Sequence, residues 1–340
     1  MNREQEIAAR LCRWFNTAGR ALPFRKTKDP YHIWVSEIMA QQTRIAALIP
    51  YYEKFVAAFP TVTDLANAEE ETVLAHWQGL GYYARARNLH KAAKIVRDEY
   101  QGALPKDAQA LRALPGIGAY TAGAIASIAF DLPVPAVDGN VLRVFARLFG
   151  IESDVLKPQT NKQITALVTD MMGYELPSVF TQAVMELGAL VCLPASPNCA
   201  GCPIRELCTA YEQGKTEALP VRAAAPEKKT VPRYIALVFD ANGERVLLRK
   251  RTEKLLHNLF EFPSFDTEQE RADFLAALNA QNCLPLPPSR HVFTHLVWAM
   301  DGVRANSSAP APSGFFFAER AALDQFAIPT ALKLYKEAAK

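Results

Sequence analysis

Along the first two thirds of the chain the apolar residues recur mostly at helical intervals. Trp34, Ile38 and Ile45 do so in one segment, and Leu142, Phe145 and Phe149 in another, a spacing that gathers them on one face of a helix. The opening stretch MNREQEIAARLCRWF mixes acidic and basic residues over the same period. To about Tyr211 the pattern predicts an all-α region. It then breaks in KTEALPVRAAAPEKKTVPR, residues 215–233, where three prolines, an alanine run and five basic residues against two acidic ones leave no apolar period. That composition reads as a linker, one that could run over DNA.

Beyond the linker the pattern changes to strands. YIALVFD, the pair Asn242-Gly243 and RVLLRKR predict a hairpin closed by a type I′ turn. HVFTHLVWAM and GFFFAER add further β-rich pieces, and PTALKLYKEAAK closes the chain as a helix. The expected organisation is an all-α domain over 1–214, a linker over 215–232 and an α+β domain over 233–340, with no internal repeat.

A length of 340 residues suits two domains rather than one core. Half of the residues are apolar and 21% are charged, the balance of a globular protein. The apolar run AGAIASIAF, Ala122 to Phe130, is far short of the ~20 residues that span a bilayer, so no membrane segment is expected. The start lacks the basic-then-apolar order of a secretory signal, and a cytoplasmic protein is expected. A net charge of +3 does not argue nucleic-acid binding by itself; a DNA-facing surface must come from local basic patches.

In LPGIGAYTAGAIASIAF a proline and two glycines, Gly116 and Gly118, make a tight turn that opens into a small-residue apolar helix. Backbone N–H groups at such a turn, aided by the helix dipole, can hold a phosphate without a cationic side chain; a plain interhelical turn has the same letters. Two carboxylates flank it in sequence. Glu37 lies at the edge of an apolar stripe, either as a solvated flank or drawn into a pocket where desolvation raises its pKa and suits it to general acid catalysis. Asp138 stands before GNVLRVFARL as a helix N-cap, and a helix N-terminus equally favours an ionised carboxylate facing developing positive charge. By analogy with sugar hydrolases, two carboxyls pushed apart in pKa suit the cleavage of a glycosidic bond.

Six cysteines divide unevenly. Cys192, Cys199, Cys202 and Cys208 form C-x6-C-x2-C-x5-C, a spacing that brings four thiolates to one metal centre, for which ligand chemistry alone leaves zinc and iron–sulfur both open. Cys12 and Cys283 stand alone and read as buried small apolar residues.

The hairpin, followed some twenty residues later by Asp138, resembles the helix-hairpin-helix DNA glycosylases of the endonuclease III superfamily. SEIMAQQT and GLGYYARARNLHKAA (Gly79 to Ala93) narrow the resemblance to the adenine DNA glycosylases, the MutY family, from about Leu22 to the C-terminus. The resemblance implies that Glu37 protonates the adenine leaving group and later activates water, and that Asp138 stabilises or transiently bonds the sugar. Tyr120 and Asn140 would orient them. Arg25 and Gln182 would line the adenine pocket, beside Phe24 where the family typically has tryptophan. Tyr82 and Gln42 would fill the gap left by a flipped base, with Thr43 near the opposite base. The residues after Tyr82, namely Tyr83, Arg85, Arg87, His90, Lys91 and Lys94, could grip the backbone or be core and solvated helix face.

The same resemblance assigns the cysteine loop a [4Fe–4S] cluster, structural rather than catalytic, with Pro203 and Arg205 near the DNA backbone. YIALVFDANGERVLLRKR with LLHNLFEFPSF resembles the MutT-like, Nudix-type domain of these enzymes, here without an R-E-x-x-E-E helix between Phe260 and Gln281 to hold Mg²⁺. Phe293, Thr294 and His295 would recognise 8-oxoguanine, Thr294 standing where many relatives have serine; strand positions are the alternative for these residues. The implied partner is double-stranded DNA with adenine opposite 8-oxoguanine or guanine, met by a monomer at the nucleoid. Strand-cleaving relatives place at Tyr120 a lysine whose amine forms a Schiff base, and nearby Leu142 offers no substitute, so base removal without strand cleavage is expected. The competing readings are a bifunctional glycosylase/lyase, a non-catalytic iron–sulfur DNA-binding protein and a nucleotide-pool hydrolase.

Overall fold

The computed structural model describes residues 2–223 and 227–340. The chain forms two compact units, Met1–Ala68 with Asn88–Ala224, and Glu69–Arg87 with Ala225–Lys340. In chain order the helices of the first 212 residues are α1 Arg3–Ala18, α2 Pro30–Ala40, α3 Ile45–Ala58, α4 Val62–Asn67, α5 Glu70–His76, α6 Ala84–Glu99, α7 Ala108–Ala113, α8 Ala119–Phe130, α9 Gly139–Leu148, α10 Pro158–Met172, α11 Pro177–Leu190 and α12 Thr209–Glu212. Among the described residues no helix is long and apolar enough to cross a membrane.

Local chemistry sets the helix ends. Asn2 and Gln5 make a reciprocal capping box on α1, and Asp29 caps α2 with Pro30 in its first turn. In the first unit, Ile7 and Leu11 of α1 pack with Phe145 of α9, Ile164 of α10 and Phe180 and Leu187 of α11 around one core. Helix α8 is buried along most of its length by small residues, so its backbone comes close to its neighbours.

The second unit carries a mixed sheet of β1 Lys229–Asp240, β2 Arg245–Lys250, β3 Phe260–Glu261, β4 Ser264–Phe265, β5 Gln281–Val292, β6 Leu296–Ser307 and β7 Phe315–Glu319, with helices α13 Glu268–Ala277 and α14 Lys333–Ala339. The order is β3-β2-β1-β6-β5, with β4 on β1 and β7 on β2; β1 and β6 run parallel. Both faces of β1 are covered. Ala236 and Val238 meet Leu275 and Leu278 around α13, whereas Ile235, Leu237 and Phe239 meet Trp298 and Tyr335, which is why YIALVFD is apolar without alternation.

Several expectations change. The segment read as linker is docked at its start: Leu219 is buried, its carbonyl accepts from Arg147 Nε at 2.8 Å, and the Val221 carbonyl accepts from Val155 N. Strand β1 already begins at Lys229, and only residues 224–226 of the stretch lie outside the described residues. The β1–β2 hairpin forms but its turn is not type I′, which needs left-handed backbone at both central residues. Gly243 has φ +73° and Asn242 does not share it; the Asp240 carboxylate instead accepts from the N–H groups of Glu244 and Arg245. Cys12 is buried as expected, but Cys283 is exposed, because it lies on edge strand β5, whose residues mostly face solvent. That strand contains Pro285, Pro287 and Pro288, residues a sheet tolerates at its edge.

Gly302 of β6 lies directly beneath the Tyr335 ring. An added methyl carbon would sit 3.1 Å from Tyr335 Cζ and closer still to Cε1. Gly302→Ala is therefore expected to cost about 1–3 kcal/mol through overpacking, read as a lower denaturant midpoint for the second unit; an unchanged midpoint would refute the contact.

Candidate active site

A pocket of about 510 Å³ opens in the first unit between α2, α8, the start of α9, and α11. Its lining includes Glu37, Tyr120, Asp138, Asn140, Phe24, Arg25, Gln42, Thr43 and Gln182, all singled out in the sequence, together with Arg20 and Glu186.

The hairpin sets the start of α8. Leu114 and Ile117 are buried while Gly116 and Gly118 face outward, and Gly116 takes a left-handed φ of +80°, which glycine adopts without a Cβ penalty. A Cβ on Gly118 would meet nothing within 4 Å. The turn is exposed at both glycines and lies outside the pocket itself, with the Ile117 N–H donating to the Leu114 carbonyl.

Tyr120, in the first turn of α8, donates from Oη to Glu37 Oε2 at 2.8 Å. Burial pushes the Glu37 carboxyl up to about 7; the Tyr120 hydrogen bond opposes that, the charge of Asp138 adds to it, and Arg25 opposes it. Burial, with the neighbouring carboxylates, likewise holds the Tyr120 phenol well above its ordinary value. Asp138 caps α9, accepting from the N–H groups of Asn140 and Val141 at 2.9 and 2.8 Å. Asn140 Nδ2 donates to its other oxygen at 2.8 Å, so the carboxylate is fixed on both sides.

Glu186 is the residue that the motifs did not reveal. It is fully buried, yet the guanidinium of Arg20 binds both its oxygens at 2.8 and 2.7 Å, the Arg20 N–H adds a third bond, and Arg25 Nη2 a fourth at 2.8 Å. Burial alone would raise this carboxyl, but the hydrogen bonds from Arg20 and Arg25 hold it down at about 2. The signal was present in the sequence, since Glu186 is the one charged residue of PSVFTQAVMELGAL, and a charge buried in a helix face demands a partner. Gln182, one turn earlier, donates to the Ser178 carbonyl while lining the pocket. Gln42 takes a left-handed φ of +59°, a strained conformation for a side chain of its size.

The four cysteines lie elsewhere in the unit, lining one small pocket of their own. Arg147 of α9 is buried, donates from Nη1 to Cys192 Sγ at 3.3 Å, and also bonds the carbonyls of Leu193 and Pro194. Arg143 Nε donates to the Cys192 carbonyl at 2.7 Å. A buried guanidinium beside the thiols suits a group of negative charge. Among the described residues no three His, Cys, Asp or Glu side chains are drawn together tightly enough to hold a single ion.

In the second unit, Tyr82, Phe293, Thr294 and His295 line a further pocket of about 470 Å³. The last three form the turn between β5 and β6 rather than strand. Tyr82 is half exposed with φ +46°, and its hydroxyl lies 3.2 Å from Thr294 Oγ1. The suggested backbone-gripping face after Tyr82 is broken up: Tyr83 and His90 are buried. Arg85 folds over Trp77 and Tyr82, donating to the Leu80 carbonyl. Lys91 and Lys94 remain exposed.

Residues 35–169 match the family described as HhH-GPD superfamily base excision DNA repair protein, and residues 234–338 match a NUDIX domain. The adenine DNA glycosylase of Buchnera aphidicola subsp. Acyrthosiphon pisum (strain APS) is 34% identical over 84% of this chain and 82% of its own length. The chain belongs to the adenine DNA glycosylase family. The Mus musculus adenine DNA glycosylase is 35% identical over 84% of this chain and 68% of its own. Among solved structures, a thermostable thymine-DNA glycosylase superposes with a TM-score of 0.57 at 28% identity, over 62% of this chain and 97% of its own. A trapped endonuclease III–DNA covalent intermediate gives 0.52 at 25%, over 63% and 99%. Family membership makes the protein a DNA glycosylase of base excision repair, with a helix-hairpin-helix core and a Nudix-type second domain.

Because Glu186 is a buried carboxylate paired to two guanidiniums, its removal leaves both cations unmatched. Glu186→Ala is expected to lower the unfolding free energy by about 3 kcal/mol at pH 7. A carboxyl held at about 2 against an ordinary 4.5 contributes stability that is complete above 4.5 and is lost as pH falls toward 2. Denaturation at pH 7 and again near pH 3 should thus show the gap between wild type and variant narrowing; a constant gap would show that the charge is not what stabilises.

Proposed function

We propose that the protein is a monofunctional glycosylase that removes adenine lying opposite 8-oxoguanine or guanine in duplex DNA, after turning the adenine out of the stack into the 510 Å³ pocket. The observation that carries this reading is the trio of Glu37, Tyr120 and Asp138 in one pocket, with Glu37 held at about 7. A carboxyl so poised is protonated in part at neutral pH and donates to the departing adenine ring. The bond between sugar and base breaks with its electrons leaving on adenine, and the Asp138 carboxylate faces the positive charge that develops on the sugar. Glu37, now ionised, takes a proton from the water that adds to the sugar carbon, which restores the enzyme. Arg25, Gln182 and Phe24 form the walls against which adenine is held.

In this reading Gln42 and Tyr82 enter the space vacated by the base, Thr43 approaches the opposite base, and the Phe293-Thr294-His295 turn recognises 8-oxoguanine. The N–H groups at exposed Gly116 and Gly118 hold a phosphate. Strand cleavage is disfavoured because it needs an amine nucleophile, and no lysine is among the described residues that line the pocket. Helix α13 carries EQERADFLAA without the acidic signature of a pyrophosphate hydrolase.

Cys192, Cys199, Cys202 and Cys208 would hold a [4Fe–4S] cluster, supported by the shared pocket and by Arg147 beside Cys192. When bound, the cluster supplies a structural brace for the loop and no chemistry to the base.

The test is release of free adenine from a duplex with adenine opposite 8-oxoguanine, with strand breaks scored before and after alkali. Adenine release with breaks only after alkali is expected; breaks without alkali would refute the monofunctional claim. Glu37→Gln should lower the single-turnover rate by about 10²–10⁴-fold. Since the protonated acid is the active form, the rate should fall as pH rises through about 7. The Tyr120 hydrogen bond pulls the Glu37 pKa down, so Tyr120→Phe should move that fall to higher pH. A fall displaced to lower pH would contradict the assigned role.

A further inference from the structure

Two glycines outside the catalytic trio sit where an added side-chain carbon would collide with the segment that carries Asp138. Gly123 lies one helical turn after Tyr120, on the same face of α8, and is fully buried. An added methyl carbon there would lie 2.7 Å from the Pro135 carbonyl carbon, nearer still to its oxygen, and 3.0 Å from Ala136 N. Pro135 and Ala136 belong to the irregular stretch that leads directly into Asp138. On the other side of Asp138, Gly188 of α11 abuts Asn140: a methyl carbon would sit 2.7 Å from Asn140 Cβ. The Gly188 carbonyl also accepts from Arg143 Nη2 at 2.7 Å, and the same nitrogen donates to Asn140 Oδ1 at 2.9 Å. Asn140 in turn holds the Asp138 carboxylate. The segment that carries Asp138 is therefore pressed between two helix backbones at points where no side chain fits.

We infer that Gly123 and Gly188 are positioning residues that set the distance between Asp138 and the Glu37–Tyr120 pair. The inference rests on the glycosylase reading of that pocket. Their role is not conformational freedom, since neither has a left-handed φ; it is the absence of a side chain. With alanine at 123, either α8 retreats, taking the Tyr120 hydroxyl off Glu37, or the 135–138 stretch retreats, taking Asp138 away. Each displacement is a sizeable fraction of an ångström at the reacting groups, and a misplacement near 1 Å costs ~10²-fold in rate.

The experiment compares wild type, Gly123→Ala, Gly188→Ala and, as a control, Gly173→Ala at the end of α10, where the added carbon meets nothing closer than 3.4 Å. Single-turnover adenine release is followed across pH on the adenine:8-oxoguanine duplex, with affinity measured separately on a duplex bearing a tetrahydrofuran abasic analogue. Gly123→Ala is expected to lose about 100-fold in rate with affinity unchanged. Its pH midpoint should also move, upward if Tyr120 has been withdrawn from Glu37 and downward if the charge of Asp138 has. Gly188→Ala, whose neighbour is a side-chain carbon rather than backbone, should show a smaller loss and carries the test if Gly123→Ala does not fold. Wild-type rate and midpoint in the folded variants, a loss confined to DNA affinity, or failure of both variants to fold would overturn the positioning role. A wild-type protein that releases no adenine would instead overturn the functional reading, and this inference with it.

Discussion

Taking a carboxylate out of water costs free energy unless a cation goes with it, and one pocket meets that constraint in opposite ways at Glu37 and Glu186. Glu186 is matched by two guanidiniums and a backbone N–H and stays ionised down to about 2. Glu37 receives a tyrosine hydroxyl and rises to about 7. The two environments share Arg25. Its hydrogen bonds are spent on Glu186 and the Arg20 carbonyl, so it reaches Glu37 through its field alone, as the weakest of the influences on that group. By engaging the Arg25 guanidinium directly, Glu186 leaves burial as the dominant influence on the Glu37 carboxyl.

Helix α9 joins this pocket to the cysteine loop. Its first turn is capped by Asp138, and its later turns present Arg143 and Arg147 to carbonyls of Gly188, Cys192, Leu193 and Pro194. Two buried guanidiniums in one helix would be costly without those acceptors. Any group that orders the cysteine loop therefore also restrains α9, and through it the carboxylate at its N-terminus. The cluster proposed for the cysteine loop would in this way brace the Asp138 carboxylate without taking part in the reaction.

Much of this was legible in the sequence because it depends on local chemistry. Helical spacing, the glycines of LPGIGAYTAG, the aspartate before GNVLRVFARL and the cysteine spacing are all short-range patterns, and Glu37, Tyr120, Asp138 and Asn140 line one pocket. What escaped depends on contacts distant in the chain. Glu186 meets Arg20 and Arg25 across more than 160 residues, and nothing near it in sequence announces them. Cys283 was misread because an apolar residue type suggests burial, whereas β5 lies at a sheet edge. The Asn-Gly pair suggested a type I′ turn, but the Asp240 carboxylate organises a longer loop. Gly123 was read as part of a small-residue helix, and its contact with Pro135 appears only once α8 packs on the stretch before Asp138.

The identity of residue 120 decides two things at once. An amine there would supply the nucleophile that Schiff-base chemistry requires. It would also be a cation where a neutral hydroxyl now lies 2.8 Å from Glu37, and an opposite charge at that range favours the ionised carboxylate. Glu37 would then lose the proton it is proposed to deliver. Amine attack and carboxylic acid catalysis therefore compete for the same position. A phenol favours the protonated carboxyl that the proposed acid catalysis needs: it donates to the carboxyl and, held well above its own ordinary pKa by burial and the neighbouring carboxylates, adds no charge to the pocket.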